Sequence, residues 1–535
     1  MLPTTSSSSP RTRSRWWLVI VAAVFLGLSF SRDHYWDEYF YLFSVRQHSP
    51  AVLVALEGAL AEGVFPYGFF AGKIGFVAVL WALVGALGDG QRALFVVRLI
   101  FAGLVLAFGA ATFKLLESLL ARQKAAQIAL VTLALPLPLY LGFKTLSETP
   151  ALVLGTLAGW QFVASFRTES AGAQRRRLLA ATLWLALGTF CRVSSLLLFV
   201  GLMAALLARA GDPVPRRQLI RRGTLVLLAH LLLVAVGFLA VGLFPVDRLR
   251  GLVASVTDRQ WTPAVRLYAV ALFAQLFLLP ALVACRPAVL RATRWALVWL
   301  GVCLAPFLLL GEYAEPRYFA ASIVPLAILA HDGLCQMARR LPLKFDVAFG
   351  ALFSAIVLVN RLWLAPLMPV ELSEGDYNRL MARLAAREVT ATYLAPWLSD
   401  YCYFSFAFPE RRVVLVMSET YGTGKVFETA QFLRWVGPER YAGSAASLDK
   451  LPRPWIYVGW SYNPTVVRLK NRLASLGLAG LAPVDERRQL LDHLTPSWIW
   501  SATDLRLVPL DHENLYHAFE VLRRDAASAP AADLR

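Results

Sequence analysis

Asp37 and Glu38 stand side by side in SRDHYWDEYFYLF, just past the first apolar segment of a largely apolar chain. Adjacent carboxylates beside a bilayer are costly to desolvate and contribute little to an apolar core. Their chemical use there would be to take a proton from a hydroxyl or to hold a divalent ion. The structural alternative is an interfacial aromatic belt, built from Tyr35, Trp36, Tyr39, Phe40, Tyr41 and Phe43, around two solvated acids. Glu148, in KTLSETPAL, is a second acidic position. Ser147 and Thr149-Pro150 mark a helix start, so Glu148 falls in a first turn, where it either suits the helix dipole or reaches the same outer cavity as Asp37. The third group lies in GEYAEPRYFAASIVP, where Glu312, Glu315 and Arg317 fall within six residues. Arg317 either snorkels at a span end or holds a phosphate through two parallel hydrogen bonds, with Glu315 orienting it. Lys73, Lys144 and Arg192 are further cations near predicted span ends, and cations gathered around two acids suit an anionic, lipid-linked substrate.

The elements that position these groups follow from composition and charge. The chain has 535 residues, of which 58% are hydrophobic and only 16% charged. Its mean hydropathy of +0.55 places it among polytopic membrane proteins. The net charge of +18 would suggest nucleic acid in a soluble protein. Here Lys and Arg concentrate in short loops between apolar runs, which points to topology and away from a nucleic-acid partner. The five cysteines have neither paired nor metal-type spacing, so no disulfide framework is implied.

A span needs roughly 20 apolar residues. Eleven are expected: 16–31, 93–119, 126–143, 149–166, 178–190, 194–208, 223–244, 266–285, 294–311, 317–333 and 347–366. The first is read as an uncleaved span, since no small-residue cleavage site follows it. The apolar stretch 67–88 is placed as a juxtamembrane or re-entrant segment within a first outer loop, 32–92. With the N-terminus inside, every inward loop carries at least two basic residues, from Arg11, Arg13 and Arg15 to Arg339, Arg340 and Lys344. Reading 178–208 as one helix would put Arg192 in mid-bilayer at a cost of about 2.5 kcal/mol or more. Two shorter spans separated at Cys191-Arg192 fit better.

The odd number of crossings leaves 367–535 outside. Strand-like runs at 412–417 and 454–460, with helical patterns at 376–387, 425–436 and 464–476, suggest a small α/β domain after a membrane domain, 1–366. Three signals are discounted. GTGK at 422–425 lacks P-loop spacing. His34 and His48 have no metal-ligand spacing around Asp37, and His331 reads as structural. Trp455, Trp460, Trp498 and Trp500 serve a core as readily as a sugar.

These motifs, in this order, resemble the GT-C superfamily of integral membrane glycosyltransferases, especially protein O-mannosyltransferases and bacterial aminoarabinose transferases. The first-loop acidic pair is matched by Asp37-Glu38-Tyr39-Phe40-Tyr41, and the arginine opening the second span by Val97-Arg98-Leu99. The second outer acid, usually Asp, is matched by Glu148. The Glu-x-Arg-Tyr element before a late span is matched by Glu315-Pro316-Arg317-Tyr318. The Lys-Pro-Pro-like element is absent, and the chain there reads Pro66-Tyr67-Gly68-Phe69-Phe70-Ala71-Gly72-Lys73. The resemblance covers about residues 16–366.

It implies a transferase in a bacterial inner membrane, moving a sugar from a polyprenyl-phosphate donor to an acceptor hydroxyl of a glycan, lipid or protein on the outer face. Asp37 would be the general base, supported by Glu38, and any divalent cation would fall to this pair. Glu148 would orient acceptor or base. Arg317, with Lys73, Arg192 and Lys144, would bind the donor phosphate, and Glu315, Tyr318 and Arg98 would orient these groups. The rival expectation is a transporter or flippase of a lipid-linked or anionic substrate, against which the absence of repeated halves counts.

Overall fold

A computed structural model describes residues 36–60, 70–141, 144–209, 215–240, 293–310, 316–355, 374–387, 390–395, 398–416, 420–421, 425–426, 437–443, 445–460, 505–513 and 516–523. The chain divides into two compact units. Met1–Ser31, Arg98–Phe238 and Ala269–Leu364 form one, and Arg32–Val97, Leu239–Tyr268 and Ala365–Arg535 form the other.

The first unit is helical. Its described helices are Arg122–Ala134, Pro136–Leu141, Glu148–Ser165, Ala171–Cys191, Ser194–Ala208, Arg216–Ala240, Arg294–Leu310, Ile323–Ala338 and Phe345–Ala355, together with most of Gly90–Glu117. Among the described residues, three helical stretches are long and apolar enough to cross a membrane: Gly90–Glu117, Arg216–Ala240 and Phe319–Ala338. They differ in placement. Phe319–Ala338 is buried on nearly every side, whereas Arg216–Ala240 leaves most of its surface uncovered, including Leu225, Leu228 and Leu232. A helix that exposes leucines along its length is built to face hydrocarbon.

Ser194–Ala208 matches its predicted span, and the expected break before it is real: Arg192 is extended, at φ −169° and ψ 145°. Two expectations need correction. The span predicted over 126–143 is divided into Arg122–Ala134 and Pro136–Leu141, because Pro136 removes a helical donor and pushes Leu135 into extended backbone. The helix expected from 178 begins at Ala171, since its first two turns are the polar AGAQRRR that an apolar window passes over. The spans expected at 16–31 and 266–285 lie outside the described residues, as does most of 347–366, of which Phe345–Ala355 is helical.

The second unit combines helices from Arg32–Val97 with a mixed sheet from the tail. The loop expected over 32–92 is largely helical where described: Trp36–Gln47, Pro50–Leu60 and Ile74–Leu87, the last preceded by a 3-10 turn at Ala71–Lys73. Pro50 stands at the first position of its helix, where its fixed φ and missing N–H cost nothing.

In the tail, strands β1 (Thr392–Ala395), β2 (Arg412–Leu415), β3 (Thr420–Tyr421), β4 (Lys425–Val426), β5 (Trp455–Trp460), β6 (Leu505–Glu513) and β7 (Tyr516–Arg523) form two sheets. The larger runs β2-β1-β5-β7-β6, with β1 parallel to β2 and β5, and β7 antiparallel to β5 and β6. β2 and β5 fall on the two runs expected to be strands, and the Glu374–Arg387 helix on the pattern at 376–387. Of the other two patterns, 425–426 is strand β4, and 427–436 and 464–476 lie outside the described residues.

Alternation sorts the sheet's side chains. Leu394, Val414, Trp455, Tyr457 and Val521 share one buried cluster. Tyr393, the neighbour of Leu394, stacks instead on Phe404 of the Leu398–Ala407 helix. Tyr377 packs against Tyr403, Phe404 and Tyr516, with ring centroids 4.5 to 5.3 Å apart. Burial, reinforced by the nearby Asp400 charge, pushes the Tyr377 hydroxyl well above its usual range, so it stays neutral at any physiological pH.

Candidate active site

In the helical unit the decisive cluster sits where three helix ends meet. Glu148 opens the Glu148–Ser165 helix, and Arg192 links Ala171–Cys191 to Ser194–Ala208. Glu148 is fully buried and the Arg192 side chain nearly so, with Nη1 2.8 Å from Glu148 Oε1. The same nitrogen donates to Ser147 Oγ at 3.2 Å, and Ser147 Oγ donates to Glu148 Oε2 at 3.2 Å. Close helix contact makes this geometry. A Cβ on Gly155 would lie 3.0 Å from Ser195 Cα, and one on Gly188 2.9 Å from Ser195 Cβ. Glycine at both positions lets the two helices approach the start of the third, which carries Arg192 to Glu148.

Two further cations belong to this unit. Lys144 is buried in the turn between Leu141 and Glu148, and Arg98 is buried in Gly90–Glu117. The 3-10 turn Pro316–Ser322 packs against the Pro136–Leu141, Glu148–Ser165 and Ser194–Ala208 helices. Cys303 joins it to its neighbours, with Sγ 3.4 Å from Ala321 O and 3.7 Å from Leu197 O. The backbones of Arg317 and Tyr318 therefore run beside the helices that carry Glu148 and Arg192. Glu315, like Glu312, lies outside the described residues.

In the second unit, Asp37 falls in the first turn of Trp36–Gln47. Glu38 is completely buried, and so are Tyr39, Tyr41 and Phe43. The picture of two solvated acids in an aromatic belt is thus wrong for Glu38, which points into packed protein. Tyr39 meets Tyr403 at 4.5 Å and Phe43 meets Tyr401 at 5.2 Å, so the helix is docked on Leu398–Ala407. Arg46 fastens its other end, donating to Ser405 O at 2.5 Å and pairing with Asp89. Lys73 closes its 3-10 turn and donates a hydrogen bond to the Tyr41 hydroxyl, three residues beyond Glu38. Phe70 and Phe76 set the Tyr41 ring edge-on.

Sequence inspection missed three contributors: Ser147, which joins Glu148 to Arg192; Tyr41, which holds Lys73; and the Gly155–Ser195–Gly188 contact. Only the third had a local signal, small residues inside apolar helices. Among the described residues, no three His, Cys, Asp or Glu side chains come together to hold a metal ion. His34 lies outside the described residues. His331 is held by Gln127 at 3.0 Å and Asp332 at 3.1 Å.

Comparison with solved structures decides the architecture. ArnT from Cupriavidus metallidurans in the apo state superposes with a TM-score of 0.55 at 14% identity, covering 96% of this chain and 98% of that one. The chain therefore shares the fold of that protein. The resemblance expected from the motifs is borne out at the level of the fold, and three of the described helices are long and apolar enough to cross a membrane. ArnT from the same organism bound to undecaprenyl phosphate gives a TM-score of 0.47 at 14% identity, covering 96% and 99% of the two chains. The Archaeoglobus fulgidus oligosaccharyltransferase tethered with an acceptor peptide gives 0.42 at 11%, covering 91% of this chain and 72% of that one. No protein-family model and no curated protein matches the sequence.

Proposed function

We propose that this GT-C-fold protein is a membrane glycosyltransferase that moves a sugar from a polyprenyl phosphate to an acceptor hydroxyl on the extracytoplasmic face of a bacterial inner membrane. The observation that carries the proposal is the buried Glu148–Arg192–Ser147 cluster, with the Arg317 turn packed beside the same helices in a fold shared with ArnT. A buried arginine already oriented by a carboxylate is suited to receive a phosphate without reorganising.

In the reaction, the acceptor oxygen attacks the anomeric carbon and the bond from that carbon to the phosphate oxygen breaks. The electron pair leaves with polyprenyl phosphate, and the configuration inverts. Asp37 accepts the hydroxyl proton as the general base. Glu38, one residue further along the helix and completely buried, supports Asp37 or holds a divalent cation. Arg317, Arg192 and Lys144 stabilise the charge on the departing phosphate, and Glu148 acts as a positioning residue that holds Arg192. Lys73, fixed by Tyr41, supplies a further cation for the donor. Arg98, Glu315 and Tyr318 orient these groups. A lipid carrier makes chemical sense there, because it brings an activated sugar to the membrane surface.

The test measures release of polyprenyl phosphate from a labelled lipid-linked sugar by the purified protein. Asp37→Asn is expected to lower the rate by at least ~10²-fold, with the thermal melt unchanged. Full activity in that variant would remove Asp37 as the base.

A further inference from the structure

We infer that the helical unit carries a site for an anionic phospholipid at the end of the Ala171–Cys191 and Arg216–Ala240 helices remote from Arg192. The two helices lie side by side in the same direction. Arg222 Nη2 donates to Gln174 Oε1 at 3.0 Å near their starts, and Phe190 and Phe238 meet at 5.6 Å near their ends. Their N-termini therefore emerge together, and neither has an acidic residue in its first turn. Both are positive ends of helix dipoles, and both are loaded with arginine, the opposite of what a dipole favours.

The arginines divide into two sets. Arg177 donates to Gln161 Oε1 at 3.1 Å, and Arg222 donates to Ser165 O at 3.1 Å and lies 4.7 Å over the Phe166 ring. These two are consumed by packing. Arg175, Arg176, Arg216, Arg217 and Arg221 are exposed, and among the described residues no carboxylate pairs with them, Glu169 included. Five like charges on two positive helix ends repel one another until an anion joins them.

The same faces indicate which anion. Arg175 and Arg176 are followed by exposed Leu179, Leu183 and Leu187 at helical spacing. Arg217 and Arg221 are followed by exposed Leu225, Leu228 and Leu232. Guanidinium forks at the end of two aliphatic stripes match a phosphate carried on acyl chains, and a soluble phosphate would leave the stripes unused. The topology rule accounts for the side of the membrane on which arginines collect, but not for this alignment of charge with apolar surface on adjacent helices.

The full-length protein would be purified, exposed to equal dioleoylphosphatidylglycerol and dioleoylphosphatidylcholine, and examined by native mass spectrometry through graded delipidation. The phosphatidylglycerol adduct is expected to persist and the phosphatidylcholine adduct to be lost. R175Q/R176Q/R217Q/R221Q should weaken retention by roughly fivefold per arginine removed, whereas the four Arg→Lys replacements should keep most of it. Should the glutamine variant fail to fold, wild-type retention must still fall as salt rises. Equal retention of both lipids, salt-independent retention, or displacement by inorganic phosphate alone would each overturn the proposal.

Discussion

The two ends of the Ala171–Cys191 helix treat arginine in opposite ways. Just past the C-terminal end, Arg192 is nearly buried and tied to a carboxylate and a hydroxyl. At the N-terminal end, Arg175 and Arg176 stand exposed without a carboxylate among the described residues. The difference is the solvent. Taking a guanidinium out of water costs several kcal/mol, so a buried one persists only with its partner in place. An exposed one stays hydrated and remains available to a ligand. One end is therefore pre-organised at the cost of stability risk, and the other is adaptable.

The largest test of this contrast is Arg192→Ala. It takes the arginine away from the buried Glu148 carboxylate and should cost about 3–5 kcal/mol, read as a large drop in the thermal melt in detergent. Combining it with Glu148→Gln should recover a good part of that loss, because the buried charge is then gone. Equal melts for wild type and Arg192→Ala would mean that the pair is not desolvated. A smaller effect is expected of Gly155→Val, which drives a side chain into the Ser195 backbone and should destabilise by about 1–3 kcal/mol. Because the contact sets Arg192 beside Glu148, the same variant should also lose transfer activity out of proportion to its stability.

The tail offers a milder ion pair for comparison. Arg383 Nε donates to Asp511 Oδ2 at 3.0 Å, joining the Glu374–Arg387 helix to β6. The hydrogen bond from Arg383 comes first in holding the Asp511 carboxyl below its usual range, opposing a burial effect, and His512 N–H adds to it. A depressed carboxyl contributes stability that is present above its unfolded value, about 3.9, and is lost as pH falls through the lower folded value. Asp511→Asn should thus cost no more than about 1 kcal/mol near neutrality, given the exposure of Arg383. The melts of variant and wild type should converge in strong acid, and a gap that persisted there would argue against the ion pair. At the bottom of the scale, Arg175→Gln should change stability by less than ~0.5 kcal/mol, and a larger loss would show that this end is also structurally committed.

Legibility in the sequence followed the range of the interaction. The Ser194–Ala208 helix and the break at Arg192 were visible because an apolar run and one costly charge are local facts. The interruption at Pro136 was equally local, yet an apolar window runs straight over LALPLPLY. Glu38 could not be recognised as buried, because its surroundings depend on how Trp36–Gln47 docks on a helix more than 350 residues later. The candidate acids and cations could be picked out as residue types, but the contacts of Ser147 and Tyr41 entered only once their partners, Arg192 and Lys73, were placed.

By itself the sequence determined the apolar character of the chain, most of the helical segments and the positions where charge interrupts apolar surface. All three rest on periodicity and hydration, which act over a few turns. The tertiary structure alone decided that Glu148 and Arg192 share one buried pair, that Glu38 lies in packed protein, and that the arginines of two helices emerge at one end. These depend on which helices approach closely, and that is set by contacts such as Gly155 on Ser195, whose partners are far apart in the chain.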